Sequence, residues 1–482
     1  MGSHLRLLPR ATPAIPLGSA ESNPLGRVAS DIRAELGARG RYPPGPAGLN
    51  VRLTHRMARD PLALLLEFHE RYGPIFSMRL LHTRVVFMLG PEANHFVTVG
   101  RPECFRWRES SFADLIPLLG DGLLTVDGDY HDRARRIMVP AFHNAQIAAA
   151  VEAMAGETEQ ALTDLPSGEV VDIYRWMRRL AMRIAMRALL GLDPDGGGRG
   201  AAAAEHFERA LGFYGTEYPL RILRGPGSPW RRLVRSRSKL NSIVFGEIGR
   251  RREAQTSAGE DVLSLLLKAR GEEGEAFTDR EVRDQVMTLM FAGHDTSTST
   301  LSFLIYELGQ NPAVRERLVA EVDQVLAGEP PSPQQLAGEL PYLDMVLDET
   351  LRLYPPAWVG PRRAARDFEF AGSTVPAGAY VNYCSWASHR LPEVFEDPDR
   401  FDPQRFEASR KAAIPRGAYV PFGGGSRICI GKRFAQMEVK LVAAMLLQRL
   451  RLEPVLGYQM KIRQMPTLSP SGGLPMRVSR RD

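Results

Sequence analysis

Apolar residues recur at three- and four-residue spacing through most of the segment from Asp129 to Leu326, which predicts long amphipathic helices with few breaks. The clearest interruption is Gly225-Pro-Gly-Ser-Pro229. Gly196-Gly-Gly198 followed by an alanine run predicts a loop entering a helix, and a further helix is expected over Gly431 to Arg449. Short β-prone runs replace the helical period at Ile75 to Met78 and Arg84 to Met88, and again between Glu369 and Val381. The fold class expected is therefore mainly α with a smaller β-rich part (α+β). Residues 1–41, broken by Pro9, Pro13, Pro16 and Pro24, are expected to form a flexible N-terminal segment. Pro43-Pro-Gly-Pro46 is expected to act as a stiff hinge before a single folded body over 42–482.

Chemistry concentrates in four places. Phe422-Gly-Gly-Gly425-Ser-Arg427-Ile-Cys429-Ile-Gly431 surrounds a cysteine with glycines, which admit left-handed and closely approached backbone, and with one fixed cation. Ala292-Gly293-His294-Asp295-Thr296-Ser297 lies on a helix expected from about Thr278 to Leu308. Its hydroxyl residues compete for backbone carbonyls and predict a local kink or bulge. Glu349-Thr-Leu-Arg352 places an acid and a base one turn apart on one helix face, with Arg405 downstream. Gly128-Asp-Tyr-His131-Asp-Arg-Ala-Arg135 places His131 and Arg135 on one face.

In this order the motifs resemble the cytochrome P-450 family, and the resemblance runs from about Tyr42 to the C-terminus. It implies the cytochrome P-450 fold, a haem domain over 42–482, and haem b (iron protoporphyrin IX) as cofactor. Cys429 would be the metal ligand, its thiolate bound to haem iron and tuned by surrounding hydrogen bonds. Phe422 would shield the thiolate, and Gly431 would complete the loop. His131, Arg135, Arg362 and Arg427 would contact the haem, with His389 at its edge. Asp295 and Thr296 would be catalytic, Thr296 hydrogen-bonding the oxygen being activated and Asp295 relaying protons. Glu349, Arg352 and Arg405 would form a structural network behind the haem. The activity implied is a monooxygenase: one oxygen atom of O2 enters the substrate and the other leaves as water.

The substrate pocket is expected at Trp107, Phe112, Leu115, Leu119, Tyr214, Phe291, Ala292, Trp358, Val359 and Leu468, which favours a mainly apolar ligand. Arg106 or Arg108 would grip a carboxylate or face solvent. Fatty acid, terpenoid, steroid or carotenoid, and polyketide substrates all remain open. A peroxide-driven peroxygenase is disfavoured by the intact Asp295-Thr296 pair, and a non-enzymatic haem or lipid carrier by the intact cysteine loop.

Hydrophobic content of 44% and charged content of 24% are ordinary for a globular protein. Three cysteines (104, 384 and 429) make no disulfide framework, so a reducing, cytoplasmic setting and a soluble protein are expected. No apolar run is long enough to span a bilayer. The chain carries no recognisable flavin or NAD(P) module, so electrons are expected from a separate ferredoxin or flavodoxin with its reductase. The net charge of +6 fits either an acidic electron donor or a solvated arginine-rich surface; no nucleic-acid module accompanies it. Arg133, Arg135, Arg136, Arg416, Lys432, Arg433 and Lys440 are the basic residues that the resemblance places on the thiolate side.

Overall fold

The computed structural model describes residues 24–38, 42–253, 261–271 and 274–481. Nine helices position the site: α1 (Pro24–Gly37), α2 (Gly128–Met138), α3 (Asn144–Thr163), α4 (Ile173–Ala185), α5 (Gly198–Tyr214), α6 (Pro229–Glu253), α7 (Asp279–Gln310), α8 (Pro341–Leu353) and α9 (Lys432–Arg449). Helix α7 is the axis of the molecule. Thr278 caps it in a reciprocal box with Glu281, satisfying donors the first turn would leave free. At about 1.5 Å per residue it runs on the order of 48 Å and packs against α4, α6, α8 and α9.

Three apolar clusters meet around that axis. One joins α3, α4, α8 and α9 to the C-terminal half of α7 through Trp176, Leu304, Leu347 and Leu441. A second joins α2, α5 and α6 to its N-terminal half through Ile137, Phe207, Leu240 and Met287. The third lies under the sheet.

The β part is small. Strands β1 (Ile75–Leu80), β2 (Thr83–Met88), β3 (Phe105–Arg106), β5 (Gly360–Ala364) and β6 (Tyr380–Tyr383) form one sheet in the order β1-β2-β6-β5-β3. Only the β2–β6 pairing is parallel, Val86 lying opposite Val381. Strands β4 (Val170–Asp172), β7 (Leu450–Pro454) and β8 (Pro475–Arg480) form a second sheet in the order β4-β8-β7.

The structure differs from the expectation at the N-terminus. Residues 1–23 and 39–41 lie outside the described residues, but 24–37 form a helix. Asp31 of that helix is buried and pairs with Arg363 and the Tyr380 hydroxyl. The proline stretch is also no free hinge. Ser77 and Arg79 of β1 donate backbone N–H bonds to the carbonyls of Pro44 and Pro46, so the segment lies along the sheet edge.

Candidate active site

The cysteine loop is a tight irregular turn leading into α9. Cys429 donates its N–H to the Phe422 carbonyl, and Gly423 donates to Val420. Gly425 has φ +63°, and a Cβ there would stand 2.2 Å from the Thr98 carbonyl oxygen, so a side chain is excluded twice over. Gly431 does not need its expected freedom: its φ is −86° and a Cβ would meet nothing. What it supplies is a backbone amide close enough to the Cys429 thiol to favour the thiolate. Cys429 keeps accessible surface, yet protein crowds the thiol closely enough that burial pushes its pKa up. The Gly431 N–H, Arg135 and Lys432 pull the other way. Phe422 packs on the edge of the α3–α9 cluster, with the Lys432 ammonium 5.6 Å from its ring.

A cavity of about 680 Å³ opens beside this loop, lined by Thr98, Phe105, Trp107, Asp127, His131, Arg362 and Arg427. Three cationic or titratable side chains named from the sequence therefore share one wall. Burial pushes the Arg427 guanidinium down to about 10, against the pull of Asp127, and lowers Arg362 in the same way. His131 is lowered first by burial and then by Arg427. The Trp107 indole is stacked by Arg362 at 3.8 Å and by Arg427 at 5.0 Å, with Phe112 parallel to it at 5.2 Å.

One residue in this wall had no sequence signal. The Asp127 carboxylate accepts the backbone N–H of Trp107 and of Arg108 and the Arg427 Nη2, all within 2.8–3.1 Å. It ties the cysteine loop to the segment before α2. Arg427 Nη1, by contrast, is buried without a hydrogen-bond partner among the described residues. A thiol favoured as thiolate by a nearby amide and cations, a guanidinium with a spare donor, and a second buried arginine on the same cavity suit an iron ligand and the carboxylates of a haem.

Helix α7 is α-helical throughout Asp279 to Gln310, so the bulge allowed for in the sequence is not present. Its hydroxyls bond back into the helix: Thr296 donates to the Ala292 carbonyl at 2.6 Å, and Thr298, Thr300 and Ser302 each donate to the carbonyl four residues earlier. Ser297 and Ser299 instead reach outward, to Glu438 of α9 and the Leu468 carbonyl. Amid a buried stretch, Ala292 is exposed and Thr296 half-buried.

Asp295 is buried in a four-residue charge cluster. Its carboxylate pairs with Arg178 of α4, which also binds Glu208 of α5 at 2.8 Å. His294 Nε2 lies 3.1 Å from the Arg178 carbonyl and 3.3 Å from Glu208. Burial works against the Arg178 charge, but Asp295 and Glu208 more than offset it and hold it above its ordinary value. Burial and Arg178 both push His294 down, against the pull of Asp295 and Glu208. Nothing in the sequence linked Arg178 to Asp295, 117 positions away.

Glu349, Arg352 and Arg405 meet in the interior. Arg352 is fully buried and donates to both Glu349 oxygens at 2.7 and 2.8 Å, while Arg405 Nε lies 3.4 Å from Glu349. His389, however, belongs to this network and not to the haem edge. Its Nδ1 faces the Arg352 carbonyl at 3.1 Å, its Nε2 accepts the Val420 N–H at 2.9 Å, and burial pushes it down to about 3. With both nitrogens engaged it has none to offer elsewhere.

The expected pocket walls separate into two groups. Leu115, Leu119 and Tyr214, with Phe112 and Phe291 against them, belong to the α2–α5–α6 cluster; Trp358, Val359 and Leu468 belong to the cluster under the sheet. Leu119, Tyr214 and Leu468 are packed into the core, whereas Trp107 lines the cavity. The Trp358 indole N–H is spent on the Gln464 carbonyl. Arg106 pairs with Glu109 and Arg108 with Asp121, so neither is a free cation for a carboxylate. Of the basic residues expected on the thiolate side, Lys440 is buried against Asp344 and Arg133 is paired with Glu281.

A family model described as Cytochrome P450 matches residues 43–474. The chain is 38% identical over 412 residues to the Cyclooctat-9-en-7-ol 5-monooxygenase of Streptomyces melanosporofaciens, covering 84% of this chain and 88% of that one. It is 34% identical to the Cyclooctatin synthase of the same organism, covering 88% and 91%. Among solved structures, the retinoic acid bound cyanobacterial CYP120A1 superimposes with a TM-score of 0.82 at 30% identity, covering 92% of this chain and 99% of that one. With a match over most of its length and relatives above 30% identity, the chain belongs to the cytochrome P450 family and is a haem enzyme of the monooxygenase type.

Proposed function

We propose that this enzyme hydroxylates or epoxidises an apolar terpenoid, with electrons delivered by a separate ferredoxin or flavodoxin. The single observation that carries the haem-thiolate part is the Cys429 loop, whose Arg427 keeps a buried Nη1 without a partner among the described residues and faces the same cavity as Arg362. Two relatives whose names place them on cyclooctatin-type terpenoids support the substrate class. The first acts, by its name, on an alcohol.

Cys429 would hold the iron, and Arg362 and Arg427 would hold the haem carboxylates, with His131 and Arg135 beside them. Bound haem supplies the activation of O2 and the transfer of one oxygen atom to the substrate. The chain's own residues govern protons and orientation. The Asp295 carboxylate, gripped by Arg178, exchanges protons with solvent by releasing that arginine, and the Thr296 hydroxyl takes part by giving up its bond to the Ala292 carbonyl.

The test is a reduced carbon-monoxide difference spectrum of the purified protein, then turnover of diterpenes and their mono-alcohols with a ferredoxin pair. A long-wavelength Soret band is expected, and its survival in Cys429→Ala would sink the ligand assignment. Thr296→Ala is expected to keep that band while consuming electrons with little product; unchanged coupling would remove Thr296 from the proton path.

A further inference from the structure

Arg463 is half-buried and has no acid to pair with among the described residues. Its donors go to two hydroxyl oxygens instead. Nη2 lies 2.9 Å from the Tyr174 phenol oxygen, and Nε and Nη2 lie 3.3 and 3.2 Å from the Ser469 hydroxyl. A carboxylate would hold a guanidinium more strongly than a phenol does, so the pairing asks for a reason.

The arginine sits on a rigid mount. Ile462–Arg463 pairs antiparallel with Ser469–Pro470 in a short hairpin. That hairpin is fixed at three points. The Trp358 indole N–H donates to the Gln464 carbonyl at 2.9 Å, the Leu468 N–H donates to the Pro356 carbonyl at 3.1 Å, and the Ser299 hydroxyl of α7 donates to the Leu468 carbonyl. Tyr174, in the first turn of α4, is thereby braced from outside its own helix.

One turn further along α4 is Arg178, whose nitrogens are divided between acceptors. Nε and Nη2 lie 3.2 and 2.8 Å from the same Glu208 oxygen. Nη1 alone serves Asp295, and the Tyr174 phenol oxygen lies 3.5 Å from that same Nη1. Nη1 carries two hydrogens, so it has a donor for each oxygen. A small turn of the guanidinium about its Glu208 edge lengthens the contact to Asp295 and shortens the one to Tyr174, while Glu208 keeps the arginine's charge compensated. The other titratable group against Asp295 is His294, its Nδ1 at 3.5 Å.

We propose, on the reading of Asp295 as the carboxylate that exchanges protons with solvent, that Tyr174 braced by Arg463 is a positioning residue for proton delivery: its phenol oxygen takes over the Arg178 Nη1 when that arginine lets go of Asp295. A carboxylate held in an ion pair is a poor proton acceptor. A buried guanidinium nitrogen stripped of its acceptor is costly to strand. With Tyr174 in reach the arginine exchanges one oxygen for another, and Asp295 is freed to take a proton from solvent and pass it inward. Without the phenol oxygen, release leaves Nη1 unpaired and the ion pair stays closed.

The holoenzyme is supplied with ferredoxin, its reductase and NADPH, with no organic substrate added, and O2 consumption is followed in H2O and in D2O. Tyr174→Phe and Arg463→Gln are each expected to slow it about tenfold, the size of one buried hydrogen bond left unmade, and to enlarge the solvent isotope effect. Arg463→Lys keeps a donor toward the phenol and is expected to recover most of the loss. Tyr174→Phe added to Asp295→Asn should cost nothing beyond Asp295→Asn alone, because the phenol acts through that carboxylate. The carbon-monoxide spectrum of each variant reports that fold and thiolate survive. A slower rate with an unchanged isotope effect would assign Tyr174 to packing and overturn the proposal. So would a parent-like Tyr174→Phe beside a slow Asp295→Asn, which leaves the proton role of Asp295 standing. If Asp295→Asn itself matches the parent, that proton role fails and the proposal fails with it.

Discussion

Asp127 is the residue whose importance is out of proportion to its sequence signal. One carboxylate accepts two backbone N–H groups before α2 and one guanidinium from the cysteine loop. Asp127→Asn keeps the shape but loses the charge that opposes two buried arginines. We expect faster amide exchange at Trp107 and Arg108 and faster loss of haem to apomyoglobin, by about tenfold, a change of roughly 1.4 kcal/mol. Exchange and haem retention both unchanged would show that the carboxylate ties nothing together. Glu438 offers a pH test. It is fully buried on α9 with Ser297 as its hydrogen-bond partner, and burial raises it to about 7. The folded state therefore holds a proton that the unfolded chain releases near 4.5, so this stabilisation is complete at low pH and lost as pH rises toward 7. The difference is on the order of 3 kcal/mol. Glu438→Gln cannot ionise, and denaturant unfolding at pH 5 and pH 8 should show it losing less stability across that interval than the parent protein. Cys429, Arg427 and Asp295 stood out in the sequence because each lies in a short run of adjacent motif residues. Asp127, Arg178 and Glu438 did not, because each acts on a partner more than a hundred positions away, where no local spacing constrains it.

At the scale of elements, helix α7 shows how far local reasoning reaches. A run of Thr and Ser beside a glycine predicts weakness, because hydroxyls compete for the helix's carbonyls. Here those hydroxyls find partners within the helix or across to α9 and the Leu468 segment, and the α-helix runs through without a bulge. Helix positions themselves were readable, since amphipathic period and capping residues such as Thr278 are local. The substrate walls were not, because whether Leu119 or Leu468 faces ligand or core depends on which element lies opposite. Helix α8 gives the sharper energetic test. Arg352 joins Glu349 to the backbone carbonyls of His389, Pro398 and Arg400, tying α8 to the segment before the cysteine loop. Glu349→Gln leaves Arg352 and Arg405 without their carboxylate in a dry interior. We expect a loss of about 3–5 kcal/mol in chemical unfolding, because a broken buried pair strands a charge. A loss below about 1 kcal/mol, the size of an exposed pair, would mean that the surrounding carbonyls alone carry the arginines.

For the whole molecule, stability and cofactor are coupled through the cavity wall. Arg362 and Arg427 stand on the same indole, both partly stripped of their ordinary basicity by burial, with Asp127 as the carboxylate between them. Two buried cations facing one anion leave a positive excess that costs free energy unless another anion arrives. On the proposed reading a haem carboxylate would be that anion, so the folded chain would be penalised without haem and relieved with it. Binding at about a thousandfold over the dissociation constant adds roughly 4 kcal/mol, which moves the thermal transition of the entire chain and not that of one element. Arg362→Met separates the two contributions. It removes a buried charge and keeps the bulk against Trp107. The haem-free protein should therefore melt at the same temperature or higher than the parent, while the haem-loaded protein melts lower. Calorimetry of both forms gives the gap between them, and that gap should shrink. An unchanged gap would exclude Arg362 from holding haem, whatever the variant does to turnover. A haem-free form that melts below the parent would show that Arg362 serves packing, since a side chain there for the cofactor can lower the loaded state alone.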